Sequence, residues 1–418
     1  PERTGVCPRM TSLNTRLRTL AQQSGGGARS VSCENGPCED TGTDVQKRLR
    51  WSMRTRVHTP TVRTRTDHDG LAKALDGTAI GPSLIRLESR YPRIHGHGHQ
   101  NLTGERDAAT FLAYPRTACN GRIVFFDTET TGLAGGTGTV VFMVGLAWFD
   151  GSDLLLRQYL MSGFDGERGL LKAVTEDLDQ AGLLVSFNGK SFDVTQLETR
   201  YRLASLPSPL RRPEHLDLLF HVRRMFARSW PNCRLSTVEP MLLGFQRHND
   251  LPGSMAPTAW LDWLRMGRTH MLSEVAEHNR WDLISLAALL PAIDARYRGT
   301  DANTHGSDVD HSRTATWLAT AHGDRAALEY LQRHRDNLDL SGQLEMARTA
   351  RRTGDWSLAV DIWQELARQG NGHAIEQLAK YFEHRLHDYR TALSWVDTLL
   401  TLEGDIEAHR RRHRRLLR

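Results

Sequence analysis

Three short, mostly apolar runs stand near the middle of the chain, at residues 123–126, 140–148 and 154–159. Each is rich in β-branched, leucine or aromatic residues and bounded by glycine or aspartate, the pattern of buried strands joined by turns. The pattern predicts an antiparallel meander. A helical period follows over 167–178, then a buried strand at 182–187. A helix carrying Leu197 and Leu203 comes next, and Pro207, Pro209 and Pro213 break it. A short strand is expected at 215–220. The chain then reads as helical to Pro291, with a Pro/Gly-rich excursion over 250–257. In the last part of that stretch Leu272, Val275, Ala276, Leu283, Leu286 and Leu290 form one apolar stripe. Asn279 falls on the stripe although it is polar. The layout is mixed α/β, an antiparallel meander followed by alternating helix and strand.

The flanks read differently. Residues 1–79 are rich in Gly, Ser, Thr and Arg and poor in apolar periodicity, so a largely disordered segment is expected. Short amphipathic helices are possible in it at 13–22 and 45–56. A lead-in strand is expected at 83–89, and then a loop, 91–100, with His95, His97 and His99. Gly96 and Gly98 between these histidines favour a flexible loop over a metal site. Residues 299–313 read as a polar linker. From Thr314 to Arg418 the pattern is helical, and Gly354-Asp-Trp-Ser-Leu-Ala359 aligns with His387-Asp-Tyr-Arg-Thr-Ala392 at a spacing of 33. That period is near the one of tetratricopeptide-type helix pairs, whose concave faces bind protein partners. A packed appendage is the plainer alternative. The expected domains are therefore 1–79, 80–298, the linker 299–313 and 314–418.

Charge changes the picture only locally. The net charge is +5, and residues 1–75 hold 13 Lys/Arg against 7 Asp/Glu, which alone accounts for it. A basic arm suits phosphate backbones, as does the Arg/His-rich C-terminus. The five cysteines, Cys7, Cys33, Cys38, Cys119 and Cys233, are irregularly spaced, so free thiols in a reducing compartment are expected. Cys33 and Cys38 lack a second Cys/His pair nearby, so zinc is not expected. No apolar run approaches the length of a membrane span, and no signal-peptide core is seen at the start. A cytoplasmic protein without membrane contact is the expectation.

The candidate chemistry sits in carboxylates. The first strand ends in Asp127, and Glu129 follows two residues later, on the same face. Alone, the pair could be a turn cap and a solvated acid. Asp193 opens a helix after the strand and glycine turn at 182–190, where an N-cap is the plain reading. His278 and Asp282 are four apart on the striped helix, so they share a face. Together these are four carboxylates and a histidine. That set suits two oxygen-preferring divalent cations, Mg²⁺ or Mn²⁺, clamping a phosphodiester while an imidazole takes a proton from water.

At these residues the chain resembles a known family. Phe126-Asp-Thr-Glu-Thr-Thr-Gly132, Phe187-Asn-Gly-Lys-Ser-Phe-Asp193 and His278-Asn-Arg-Trp-Asp282 look like the three motifs of the DEDD, or DnaQ-like, 3′–5′ exonucleases. The match is nearest to the YprB-like branch of the ribonuclease-H-like fold, over about residues 80–298. Leu216-Asp-Leu-Leu219, Leu235-Ser-Thr-Val-Glu239 and Asp250-Leu-Pro-Gly253 also look like that branch. The resemblance implies a ribonuclease-H-like mixed sheet flanked by helices and metal-dependent hydrolysis of DNA or RNA from the 3′ end. It implies that Asp127, Glu129, Asp193 and Asp282 are metal ligands, that His278 is the general base, and that Thr128 and Asn188 touch substrate. His278 departs from the histidine branch, where the base lies five residues before the last Asp; here it lies four before, the tyrosine-branch spacing. One residue turns a helical side chain by about 100°. Asp217 reads as structural rather than as a fifth site residue. A nucleic-acid-binding or adaptor protein with a vestigial site, and a structure-specific endonuclease, are the other readings.

Overall fold

The computed structural model describes residues 67–113, 121–132, 137–300, 308–404 and 406–418. The expected N-terminal helices, Cys33/Cys38 and residues 301–307 of the expected linker lie outside them.

In chain order the elements are α1 (His68–Ala74), β1 (Thr78–Gly81), β2 (Leu84–Pro92), β3 (Gly96–His97), β4 (Gln100–Asn101), α2 (Glu105–Leu112) and β5 (Arg122–Thr130). The meander continues with β6 (Val141–Asp150) and β7 (Asp153–Met161). Then come α3 (Glu167–Asp177), β8 (Ala181–Ser186), α4 (Asp193–Leu203), β9 (Glu214–Asp217) and α5 (Leu218–Phe226). Helix α6 (Leu235–Val238) runs into a π turn at Glu239–Leu243, and α7 (Ala256–Met266) and α8 (His270–Arg298) complete this part.

Seven strands form one sheet in the order β1-β2-β7-β6-β5-β8-β9. The β6–β7 hairpin closes on Gly151-Ser152, and Gly151 has φ +64°, which a tight two-residue turn requires. Strands β8 and β9 are each reached through a helix, so β8 adds in parallel beside β5 and β9 in parallel beside β8. From β7 to β9 this is the ribonuclease-H-like order, as expected. Strand β6 is buried from Val141 to Trp148 because helices cover both faces, which is why it reads as a continuous apolar run. Ile123 and Phe125 face one cluster, with Leu183, Val185 and α8. Val124 and Phe126 face the other, with α3, α4 and α7. The alternation sends Asp127 and Glu129 toward α8.

Two expectations change. The lead-in strand is β2, which pairs antiparallel with β7 from Leu84 to Pro92 and widens the sheet. The strand expected at 215–220 ends at Asp217, whose side chain accepts from the Leu219 backbone N–H at 3.1 Å and starts α5. Leu218 and Leu219 are apolar in either state, so the cap decides.

Beyond residue 307 the structure is helical: α9 (His311–His322), α10 (Asp324–Arg333), α11 (Leu340–Thr353), α12 (Trp356–Arg368), α13 (Gly372–His384), α14 (Tyr389–Glu403) and α15 (Glu407–Leu416). The two aligned segments have matching roles. Gly354 and His387 both take positive φ, Asp355 and Asp388 cap α12 and α14, and Ala359 and Ala392 are fully buried. Helix α9 docks on the helices that cover one face of the sheet through Trp317, whose ring lies 5.9 Å from Phe111 of α2, 4.5 Å from Tyr297 of α8 and 5.1 Å from His221 of α5. One apolar cluster runs from β5 through α8 into α9 and α12.

Candidate active site

The site forms where α8 crosses the sheet. Asp127 on β5 lies opposite Gly145 on β6. A Cβ on Gly145 would sit 2.2 Å from Asn279 Oδ1 and 2.7 Å from Leu283 Cδ1, so only glycine lets α8 approach this closely. Asn279 is completely buried. Its Nδ2 donates to Asp127 Oδ2 at 2.7 Å, and its Oδ1 accepts from Gln158 Nε2 at 2.8 Å. The polar break in the apolar stripe therefore orients the first acid.

Asp193 is the first residue of α4, but its side chain does not cap that helix. Instead Thr128 Oγ1 donates to Asp193 Oδ1. The Thr128 hydroxyl is thus engaged with an acid of the cluster. Asn188 has φ +69°, and its backbone N–H donates to Asp217 Oδ1 at 2.8 Å while its side chain stays exposed. Asp217 also accepts from Lys190 N–H at 3.1 Å, so it ties the turn before Asp193 to the start of α5. That is a structural role, in keeping with the sequence reading.

His278 and Asp282 face the same side of α8, with His278 Nε2 3.7 Å from Asp282 Oδ2. His278 Nδ1 lies 2.7 Å from Asp250 Oδ1. Sequence reasoning gave Asp250 no role and missed Arg247 altogether. The Arg247 guanidinium donates to Glu239 from Nε (2.9 Å) and Nη2 (2.6 Å), to Asp250 from Nη1 (3.2 Å), and to Asp282 from Nη2. Its Nη1 also lies 3.3 Å from His278 Nδ1. Glu239 opens the π turn and takes a further bond from Ser285 Oγ. His97 Nε2 reaches that same Ser285 Oγ at 2.8 Å and stacks on Phe245. Burial pushes the His97 imidazole down to about 3, so it is a neutral brace. The flexible loop expected around it is anchored at this histidine.

Burial pushes the Asp127 and Glu129 carboxyls well up, and the charges of Asp282 and Asp193 push both further. Burial also raises Asp193 to about 6, against the lowering effect of the Thr128 bond, with Asp217 and Asp282 adding to the rise. Four acids drawn from a strand, a helix start and a distant helix therefore feel one another where α8 crosses the sheet. Among the described residues, no three His, Cys, Asp or Glu side chains close into a metal cage. Thr128, Asn279 and Arg247 hold three of the four carboxylates instead. An all-oxygen set of mutually repelling buried acids nonetheless fits hard divalent cations, whose charge offsets the repulsion.

Residues 124–293 match a family model described as the RNase_H superfamily. The chain is 30% identical over 339 residues to the uncharacterized protein YprB of Bacillus subtilis (strain 168), spanning 76% of this chain and 80% of that protein. Among solved structures it is similar to the family B DNA polymerase of the hyperthermophilic archaeon Pyrobaculum calidifontis, at 13% identity and a TM-score of 0.35. That likeness covers 68% of this chain and only 36% of the polymerase, too weak to bear on function.

Proposed function

The chain belongs to the YprB-like, ribonuclease-H-like family, and on that premise we propose that it is a metal-dependent nuclease that removes nucleotides from the 3′ end of a nucleic acid. The observation that carries this reading is the convergence of Asp127, Glu129, Asp193 and Asp282, each buried or nearly so, into one repulsive cluster. These four would hold two Mg²⁺ or Mn²⁺ ions. When bound, such ions supply Lewis acidity toward the scissile phosphate and a more acidic attacking water.

The protein's own groups set the geometry. Asn279 fixes the Asp127 carboxylate, and Thr128 fixes that of Asp193. Asp250 accepts the Nδ1 proton of His278, leaving the Nε2 lone pair toward the Asp282 side of the cluster. In this arrangement His278 takes the proton of the attacking water, and the spacing of four residues suits it because the Asp250 loop reaches that face of α8. Arg247 offsets the charge of Glu239, Asp250 and Asp282. Asn188 is placed in the exposed turn before Asp193, where substrate would pass.

A second reading, a nucleic-acid-binding or adaptor protein without turnover, is favoured by one observation: Arg247 already neutralises Asp282. The helical region would then engage a protein partner. The two readings part on a 5′-labelled single-stranded oligonucleotide, DNA and RNA in parallel, with Mg²⁺, Mn²⁺ or chelator. A metal-dependent ladder shortening from the 3′ end supports the exonuclease. Cleavage of a circular substrate would make it an endonuclease, and salt-sensitive binding without turnover would make it an adaptor.

A further inference from the structure

A second charged feature lies outside the acid cluster. Between α5 and α9 opens a cavity of about 510 Å³, lined by Phe220, Arg223, Arg224, Arg313, Trp317 and two threonines of α9. Its lining holds three arginines and no carboxylate. Arg223 and Arg313 are exposed, and neither forms an ion pair among the described residues. Arg224 is fixed in place: it donates to Tyr297 Oη at 2.9 Å and lies 5.2 Å from the centre of the Trp317 ring. The nearby acid Asp310 is turned to Arg228 at 3.3 Å and to the α9 backbone. Phe220 is 44% exposed at the mouth, so its ring is open to a stacking partner.

The cleft is tied to the candidate active site by the chain itself. Phe220 stands in the first turn of α5, three residues after Asp217, which caps that helix. Asp217 holds the backbone of Asn188 and Lys190, three to five residues before Asp193. Lys190 is exposed on that turn, and His221, the residue after Phe220, packs edge-on against Trp317 at 5.1 Å. Through Asp217 the turn carrying Asn188 and Lys190 is joined to the helix that carries Phe220, Arg223 and Arg224.

We propose that this cleft is a binding track for single-stranded nucleic acid, leading a strand toward the acid cluster; as a route for substrate it rests on the nuclease reading. Arginines without acidic partners suit a phosphate backbone, and exposed rings suit unpaired bases, which stack on aromatic faces without sequence preference. A duplex presents no free base faces to Phe220, which favours the single strand.

The test is fluorescence anisotropy of a labelled oligodeoxythymidylate and oligouridylate with the full chain, in chelator so that no cleavage intervenes, over a salt series. A variant carrying Arg223→Glu and Arg313→Glu should bind at least about tenfold more weakly, and its log–log salt slope should be shallower by about 1.4, two contacts at about 0.7 each. Phe220→Ala should weaken binding by about tenfold with the slope unchanged. Arg325→Glu, at an exposed arginine of α10 away from the cleft, serves as the control and should bind like wild type. All four positions are at the surface, so an unchanged melting temperature separates lost binding from misfolding. Wild-type affinity and slope in the double variant would overturn the track, and would point the cleft to an acidic protein partner instead. Because binding is read without metal, a protein that binds through the cleft yet never hydrolyses would keep the track and sink only the nuclease reading. One that hydrolyses but ignores the cleft substitutions would do the reverse.

Discussion

Replacing Asn279 by Asp is nearly isosteric, yet it turns the donor facing Asp127 into an acceptor. Asn279 Nδ2 lies 2.7 Å from Asp127 Oδ2 in a fully buried setting. Two ionised oxygens at that separation would repel by about 6 kcal/mol at an effective dielectric of about 20. The protein avoids this by keeping the added carboxyl protonated, which restores a hydrogen bond to Asp127. Holding a group of ordinary pKa about 3.9 neutral at pH 7 costs about 4 kcal/mol, which therefore caps the loss. The sign follows directly. The folded variant retains a proton that its unfolded chain releases, so it loses stability relative to wild type as pH rises above about 4. Urea unfolding of both proteins in chelator, followed by tryptophan fluorescence, should show a gap near zero at pH 4 that widens by about 1.4 kcal/mol per pH unit to about 4 kcal/mol at pH 7. A gap of constant size would make the effect one of packing. No gap at pH 7 would mean that the variant holds no extra proton there, so that Asn279 does not face an ionised Asp127, and the proposed geometry of the first ligand would fall.

Other outcomes follow from the same contacts. Arg247→Met leaves Glu239, Asp250 and Asp282 without their shared cation and should cost about 3–5 kcal/mol in chelator, with Mn²⁺ restoring more stability than it adds to wild type; equal Mn²⁺ effects would argue that Arg247 and metal do not compete for Asp282. Gly145→Ala should destabilise by about 1–3 kcal/mol because its Cβ would overlap Asn279 and Leu283, and a neutral result by thermal melting would contradict the close crossing of α8. Burial pushes the His221 imidazole down to about 3, with Arg224 and Lys190 adding to it. The unfolded chain takes up that proton first, so stability falls as pH drops below about 6.5. His221→Phe should flatten the decline between pH 7 and 5 by about 2 kcal/mol, and parallel curves for the two proteins would show that His221 is not held neutral.

The sheet order was readable because its signals are local: apolar runs of strand length, a two-residue glycine turn, and helical periods between β7, β8 and β9. The acids were readable because strand alternation and helical spacing fix which side chains share a face. What escaped depends on distance along the chain. Arg247 binds partners 8, 3 and 35 residues away, from a stretch with no period of its own. The pairing of β2 with β7 joins residues about 70 apart and leaves no mark on either strand alone. The boundary at Asp217 turned on one cap between two states that suit leucine equally. Asn279 is the exception, since a polar residue on an apolar stripe was visible as an anomaly, and a buried hydrogen bond to another element is the usual resolution of such an anomaly. The docking of α9 through Trp317 was hidden for the opposite reason: a tryptophan on a helix says that it packs, but not on what.

The central claim is that Asp127, Glu129, Asp193 and Asp282 form a centre for divalent cations, and it can be tested without any substrate. Electron paramagnetic resonance of Mn²⁺ titrated into the full chain counts bound ions and detects whether two lie close enough to couple. The account predicts two Mn²⁺ per chain with spin coupling in wild type, and loss of at least one ion together with the coupling in Asp127→Asn, while the fold is retained. Free Mn²⁺ signal throughout the titration, or equal binding by wild type and Asp127→Asn, would contradict it.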